Sequence, residues 1–293
     1  MMLKYLIKKI LLYIKLIKQT LLSVLMIIRS SQLLPQIRKL DSNGIPECYI
    51  LGNGPSLNES LSNDLELLKT KELFVLNDFA ISKYFEIIKP KYYVLLDPCY
   101  WSHKVEKEFL DAGILILNTI NDKVNWQMYI LIPTAAYKSK LYENIFSQNK
   151  NISIINFNST SIFGFTQFKY FVFKNYLGMP PLNTVLGASI FIAINMHYNE
   201  INLLGAEHSW TKDIFVKEDN LVCLENPHFY DTAEIKYSPI RTAYGNYYTM
   251  HELLRDYAKM FEGYHILRRY SENLGIRILN RTKNSFIDAF DRQ

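Results

Sequence analysis

Tyr49-Ile50-Leu51-Gly52-Asn53-Gly54-Pro55-Ser56-Leu57 reads as a short apolar strand running into a Gly-Asn-Gly-Pro-Ser turn. Two glycines let a backbone turn tightly and come close to a ligand, and Pro55 presets its own φ. Ser56 is placed to cap a helix carrying Leu57, Leu61, Leu65 and Leu68 at helical spacing. Exposed N–H groups at such a helix start face an anion, so the stretch predicts the floor of a nucleotide pocket. The same pattern also serves as the first crossover of any α/β domain.

Further strands follow, each closing on polar residues. Leu73–Leu76 ends at Asn77-Asp78, Tyr92–Leu96 at Asp97-Pro98, and Ile114–Leu117 predicts a fourth strand ending at Asn118-Thr119. Strands alternating with helices predict an α/β fold: a Rossmann-like, mostly parallel sheet with helices on both faces and its ligand beyond the carboxyl ends of the strands. Asn53, Asn77, Asp97 and Asn118 then share one rim. Trp126–Ile132 fits a strand or a helix, Ile152–Ile155 is a strand, and the aromatic run Phe163–Tyr176 fits a half-buried helix or a lid. Asn183-Thr184 caps an apolar helix over 185–197, whose Gly187-Ala188-Ser189 allows close approach of a ligand or strand. Ile201–Leu204 is a strand that returns Gly205, Glu207, His208 and Trp210 to the rim. A long irregular excursion over 211–248 predicts a lid, and Thr249–Leu274 a long amphipathic helix. Ile276–Leu279 is the last strand, and Asn280–Ser285 a rim loop before a short helix.

The 293 residues suffice for a full core, and 21 Tyr with 17 Phe supply much aromatic surface. Charge is uneven. The eight Lys and Arg residues of 1–40, with no acid among them, leave 25 of the 33 basic residues against all 28 acidic ones in 41–293. A body of that balance lacks the basic surface a nucleic-acid reader needs. Cys48, Cys99 and Cys223 form neither a metal motif nor a disulfide framework, which fits a reducing compartment and no structural metal.

Residues 1–34 predict an amphipathic helix. Lys4, Lys8, Lys15, Lys18 and Arg29 fall in a sector about 80° wide at 100° per residue, Leu, Ile, Val and Met fill most of the remainder, and Lys9 alone breaks the pattern. No uncharged run reaches the roughly 18–20 residues of a spanning helix, so residues 1–30 are expected to lie on an anionic membrane surface. Packing on the body or in a homo-oligomer is the other reading. Residues 35–46, rich in turn chemistry, predict a linker to a catalytic body at 47–293.

In this order, the Gly52-Asn53-Gly54-Pro55-Ser56-Leu57 turn, Asn77, Asp97-Pro98, the Thr184 helix, Glu200-Ile201-Asn202-Leu203-Leu204-Gly205-Ala206-Glu207 and Lys283-Asn284-Ser285-Phe286 resemble a known group. That group is the bacterial CMP-sialic-acid-dependent sialyltransferases of glycosyltransferase family 42, with the related domain of flagellin-modifying motility accessory factors. The resemblance implies one Rossmann-like domain of the GT-A-variant kind with a lid. It would bind a CMP-activated nonulosonate as substrate, use no cofactor or metal, and transfer the sugar with inversion to a cell-surface glycan or glycolipid. It puts Gly52, Asn53, Gly54, Pro55, Ser56 and Asn77 at the phosphate and ribose, and Asn284 and Ser285 by the nucleotide. Asp97, Thr184, Gly187, Gly205 and Glu207 complete the expected binding set. The expected location is peripheral, on the cytoplasmic face of the inner membrane. The chain departs from the group at Glu207-His208-Ser209-Trp210, where those enzymes have Asp followed by Phe-Tyr.

Expelling a phosphate monoester requires no metal clamp, since side-chain donors can stabilise it, and no Asp-x-Asp pair is present. A general base is needed for the acceptor hydroxyl, and histidine has a suitable pKa. By the resemblance His251, opening the last long helix, stands where the family's base lies. His228 and Tyr230 in the lid are candidates to meet the leaving phosphate, and His208 to contact the donor or serve as base. Two alternatives remain: an ATP-dependent, pterin diphosphokinase-like enzyme, whose group also opens with Gly-Asn-Gly-Pro-Ser and needs Mg²⁺ on converging carboxylates, and a non-catalytic nucleotide-binding scaffold.

Overall fold

The computed structural model describes residues 2–182, 184–224 and 238–293. Its strands, in chain order, are β1 (Glu47–Leu51), β2 (Glu72–Leu76), β3 (Tyr92–Val94), β4 (Met128–Pro133), β5 (Ile152–Phe157) and β6 (Glu200–Leu204). They are followed by β7 (Ile214–Val216), β8 (Val222–Leu224), β9 (Ser238–Pro239), β10 (Arg277–Asn280) and β11 (Asp291–Arg292). The principal helices are α1 (Met2–Ser30), α2 (Leu57–Asn63), α3 (Lys107–Lys123), α4 (Thr166–Lys174), α5 (Val185–Asn195) and α6 (Met250–Asn273).

One parallel sheet runs in the order β11-β10-β6-β1-β2-β3-β4-β5. The chain builds outward from β1 to β5, then crosses back to lay β6 on the other side of β1. The strand order therefore reverses between β1 and β6, where open α/β sheets leave a crevice. Leu51 pairs with Val75 on one side and Leu204 on the other, and Leu76 pairs with Val94, so the carboxyl ends of four strands align. Apolar clusters cover both faces: α5 and α6 on one, α2 and α3 on the other. Both-face burial explains the near-continuous apolar runs of β1, β2 and β6. This is the Rossmann-like α/β class expected from the sequence.

Four expectations are corrected. Ile114–Leu117 is not a strand but part of α3, whose buried positions Gly113, Ile116, Leu117 and Ile120 repeat at helical spacing, with Leu115 65% exposed. The fourth strand is β4, and Asn118 lies on the exposed side of α3, away from the rim. Residues 35–46 are not a free linker: Ile37 is fully buried, and the Gln36 amide N–H donates to Asn156 Oδ1 (3.0 Å). The short helix expected after Ser285 is replaced by irregular chain, a bend and the edge strand β11.

The expected lid contains β7, β8 and β9, paired as a small antiparallel sheet. His228 and Tyr230 lie outside the described residues. By length and composition α1 is long and apolar enough to cross a membrane, which the spacing of its lysines had argued against.

Candidate functional site

A cavity of about 270 Å³ opens at the reversal between β1 and β6. The turns after these two strands meet backbone to backbone. Gly52 N donates to Leu204 O (2.7 Å) and Gly54 N to Gly205 O (2.9 Å). A Cβ on Gly52 would overlap the Gly205 carbonyl oxygen, and one on Gly54 would overlap the Glu207 carboxylate. The glycines expected to admit a ligand thus first admit the neighbouring turn. Their exposed edges still line the cavity, together with Pro55, Asn77, Asp97, Thr184, Glu207, His208 and Trp210.

Two asparagines are held by their amide nitrogens. Asn53 Nδ2 donates to Leu76 O (3.0 Å), and Asn77 Nδ2 donates to Asp97 Oδ2 (3.0 Å). Asn77 adopts a left-handed backbone (φ 46°), and its carbonyl accepts from the Tyr93 hydroxyl. Asn53 Oδ1 and Asn77 Oδ1 are buried without a protein partner. Glu207 completes the set: Oε1 accepts from Ser56 N (2.6 Å), and Oε2 is buried and unpartnered. Buried acceptors that lack a protein donor call for one from water or from a ligand.

The described lining carries Asp97, Glu207 and Asp213 but no Lys or Arg. Protein walls push the Asp97 carboxyl above its ordinary range, Asn77 opposes the push and Asp78 adds to it. Asp97 is exposed to the cavity, so water there moderates the shift. The N-terminus of α5 reaches the same space through Thr184, Val185 and Leu186, with Thr184 Oγ1 accepting from Leu186 N (3.1 Å).

His208 sits on the wall in a left-handed backbone (φ 47°). Its ring lies 4.3 Å from that of Trp210, and Nδ1 is 3.1 Å from the Tyr264 hydroxyl. Burial lowers its pKa to about 3, so the imidazole is neutral at physiological pH. Trp210 is stacked from behind by Tyr257 at 5.7 Å.

Gly52, Asn53, Gly54, Pro55, Asn77, Asp97, Thr184, Gly205, Glu207 and His208 therefore share one cavity. The other candidates lie elsewhere among the described residues. Ser56 has helical φ and ψ and makes no side-chain cap, and its N–H is taken by Glu207 rather than left for an anion. Gly187 is packed against Leu182 to let α5 approach that side chain. Ser285 Oγ donates to Ala206 O (2.6 Å) and accepts from Asn280 Nδ2 (2.9 Å), which ties two loops together beside the cavity. Asn284 is exposed with φ 56°. His251 is exposed at the start of α6, with Nδ1 2.9 Å from Thr249 Oγ1.

Tyr264, Tyr257 and Asp213 were missed. The first two stand seven residues apart on one face of α6, an aromatic pattern that reads equally as core. Among the described residues no three His, Cys, Asp or Glu side chains are grouped to hold a metal ion.

Fold and site together define a Rossmann-like α/β protein with an acceptor-lined crevice at its strand reversal. No protein-family profile matches the chain, and no curated protein matches it. Among solved structures it is similar to a MAf glycosyltransferase from Magnetospirillum magneticum AMB-1, at 10% identity and a TM-score of 0.48. The match covers 85% of this chain and 33% of the other, so this chain spans about a third of that neighbour.

Proposed function

We propose that the chain is a glycosyltransferase that moves a nonulosonate or related acidic sugar from a CMP-activated donor to a cell-surface glycan or glycolipid, with inversion and without metal. The observation that carries this reading is the convergence of Asn53 Oδ1, Asn77 Oδ1 and Glu207 Oε2, each without a protein donor, at the reversal of strand order. A cytidine offers donors to match them, its exocyclic amine and its ribose hydroxyls. The phosphate belongs at the α5 N-terminus, because main-chain N–H groups and the helix dipole are the positive potential near a lining without Lys or Arg.

In the transfer, the acceptor oxygen bonds to the anomeric carbon as the carbon–oxygen bond to CMP breaks, and the hydroxyl proton passes to a base. A histidine of pKa about 3 is a weak base at neutral pH. In the tautomer in which Tyr264 donates to Nδ1, Nε2–H is left to be offered to the leaving phosphate. The base is then a residue outside the described lining, His251 among the candidates. A peripheral position on the cytoplasmic face of the inner membrane would bring the site to lipid-linked acceptors.

The test is CMP release from a panel of CMP-sugars, with and without EDTA. Release from a CMP-nonulosonate that EDTA leaves unchanged is expected; failure to bind any CMP-sugar, or strict metal dependence, overturns the reading. One observation favours the pterin diphosphokinase-like alternative, since Asp97 and Glu207 do line the same cavity. Under that reading the same assay with ATP and a pterin shows turnover that EDTA abolishes.

A further inference from the structure

The first helix presents three faces. At about 100° per residue, Leu16, Gln19, Thr20, Ser23 and Ile27 share one sector, and these are its partly or fully buried positions. Ser23 Oγ donates to Phe163 O (3.0 Å) and accepts from Phe163 N (2.9 Å), and Phe165 N donates to Thr20 Oγ1 (3.3 Å). Gly164, at φ 112°, lets this loop close on the helix, because a Cβ there would overlap Thr20. The second face is the stripe of Lys4, Lys8, Lys15, Lys18 and Arg29. The third, about 60° wide, holds Leu3, Ile10, Ile14, Ile17, Leu21 and Ile28, which are between 49% and 72% exposed. Leu33 and Leu34, 74% and 75% exposed, follow the helix.

We infer that α1 lies in the plane of an anionic membrane surface, clasped to the body along Thr20–Ile27, with the Leu3–Ile28 face in the acyl boundary. Charge complementarity chooses the occupant: the helix carries no acidic residue, and its cations flank the apolar face at headgroup level. Crossing is opposed by the clasp. The longest uncharged run, Gln19–Ile28, is about 15 Å long against a hydrocarbon core of about 30 Å. That run is also the clasped one, so a spanning helix would carry the 160–165 loop into the bilayer or tear free of it. A second copy packed on this face would bring two lysine stripes together. The surface is independent of what the cavity binds, and its test needs no sugar donor.

The experiment uses the full chain with Leu3→Cys, Ile14→Cys or Ile28→Cys carrying an environment-sensitive fluorophore. Vesicles are phosphatidylglycerol with phosphatidylcholine, or phosphatidylcholine alone, and contain depth-graded quenchers. The expected result is binding to the anionic vesicles with all three labels at one shallow depth. Lys15→Gln with Lys18→Gln should weaken that binding roughly 10- to 30-fold. A depth profile deepest at mid-helix overturns the inference in favour of a spanning helix. Absence of vesicle binding, with dimerisation in sedimentation that Ile17→Glu abolishes, overturns it in favour of a second copy.

Discussion

Two loops beside the crevice look alike in sequence and behave differently. The turn after β1, with Asn77 and Asp97 from the next two strands, spends its amide N–H groups on the protein and keeps carbonyl oxygens for the cavity. The loop after β10 turns its Ser285 hydroxyl and Phe286 N–H inward to the protein. Ser285 Oγ bonds Ala206 O, Asn280 Nδ2 and Ile287 N, and Phe286 N donates to Glu207 O (2.7 Å). Both carry Asn and Ser just past the carboxyl end of a parallel strand. A polar residue at that position therefore marks a binding atom only when the neighbouring strand's turn leaves the atom unpaired. The loop after β10 instead positions Glu207, whose carboxylate braces Ser56 and faces the cavity.

The comparison breaks most visibly at the glycines. Gly52→Ala sets a methyl group against the Gly205 carbonyl, which is backbone and cannot swing aside. A cost of about 3 kcal/mol is expected, seen as a thermal midpoint roughly 5–10 °C lower. An unchanged midpoint would mean that the two turns are not in contact. Ser285→Ala comes next, at about 1–3 kcal/mol, because it leaves a buried carbonyl and a buried amide short of partners. Its CMP affinity, measured by calorimetry, should stay at the wild-type value; a large loss would move Ser285 into the ligand's shell. Glu207→Gln sharpens the contrast from the other side. The amide keeps an acceptor for Ser56 N but turns the unpartnered oxygen at the cavity wall into a donor, so CMP affinity should fall about tenfold, near 1.4 kcal/mol, with little change in the midpoint.

Much of this was legible in the sequence, for a physical reason. Strands buried on both faces must be apolar throughout, and the first polar residue after each one marks its carboxyl end, so β1, β2, β3 and β6 could be placed and the rim assembled. Ile114–Leu117 failed because four consecutive apolar residues suit a buried strand or about one helical turn. Only the wider spacing of Gly113, Ile116, Leu117 and Ile120 decides for the helix. Pairings between distant residues were out of reach. That Glu207 would occupy the N–H of Ser56, or Ala206 the hydroxyl of Ser285, depends on β6 returning beside β1 and β10. The aromatic seat of His208 depends likewise on α6 packing against that wall.

The smallest expected effect concerns that seat. An imidazole with an ordinary pKa of 6.5 in the unfolded chain, lowered to about 3 by burial in the folded one, binds its proton more readily after unfolding. Between these two values a falling pH therefore favours the unfolded state. Stability is fully present above about 6.5 and is lost as pH drops, by at most about 1.4 kcal/mol per unit and by less because His208 is only partly buried. His208→Gln keeps a hydrogen-bonding group beside Tyr264 and removes the titration. The urea midpoint of the wild type should fall more steeply between pH 6.5 and 5 than that of the variant, and their difference cancels the other histidines. Equal slopes would mean that the folded protein takes up the proton at His208 as easily as the unfolded chain does. The ring would then be wet and able to serve as a base, and the division of labour proposed for the two histidines would reverse.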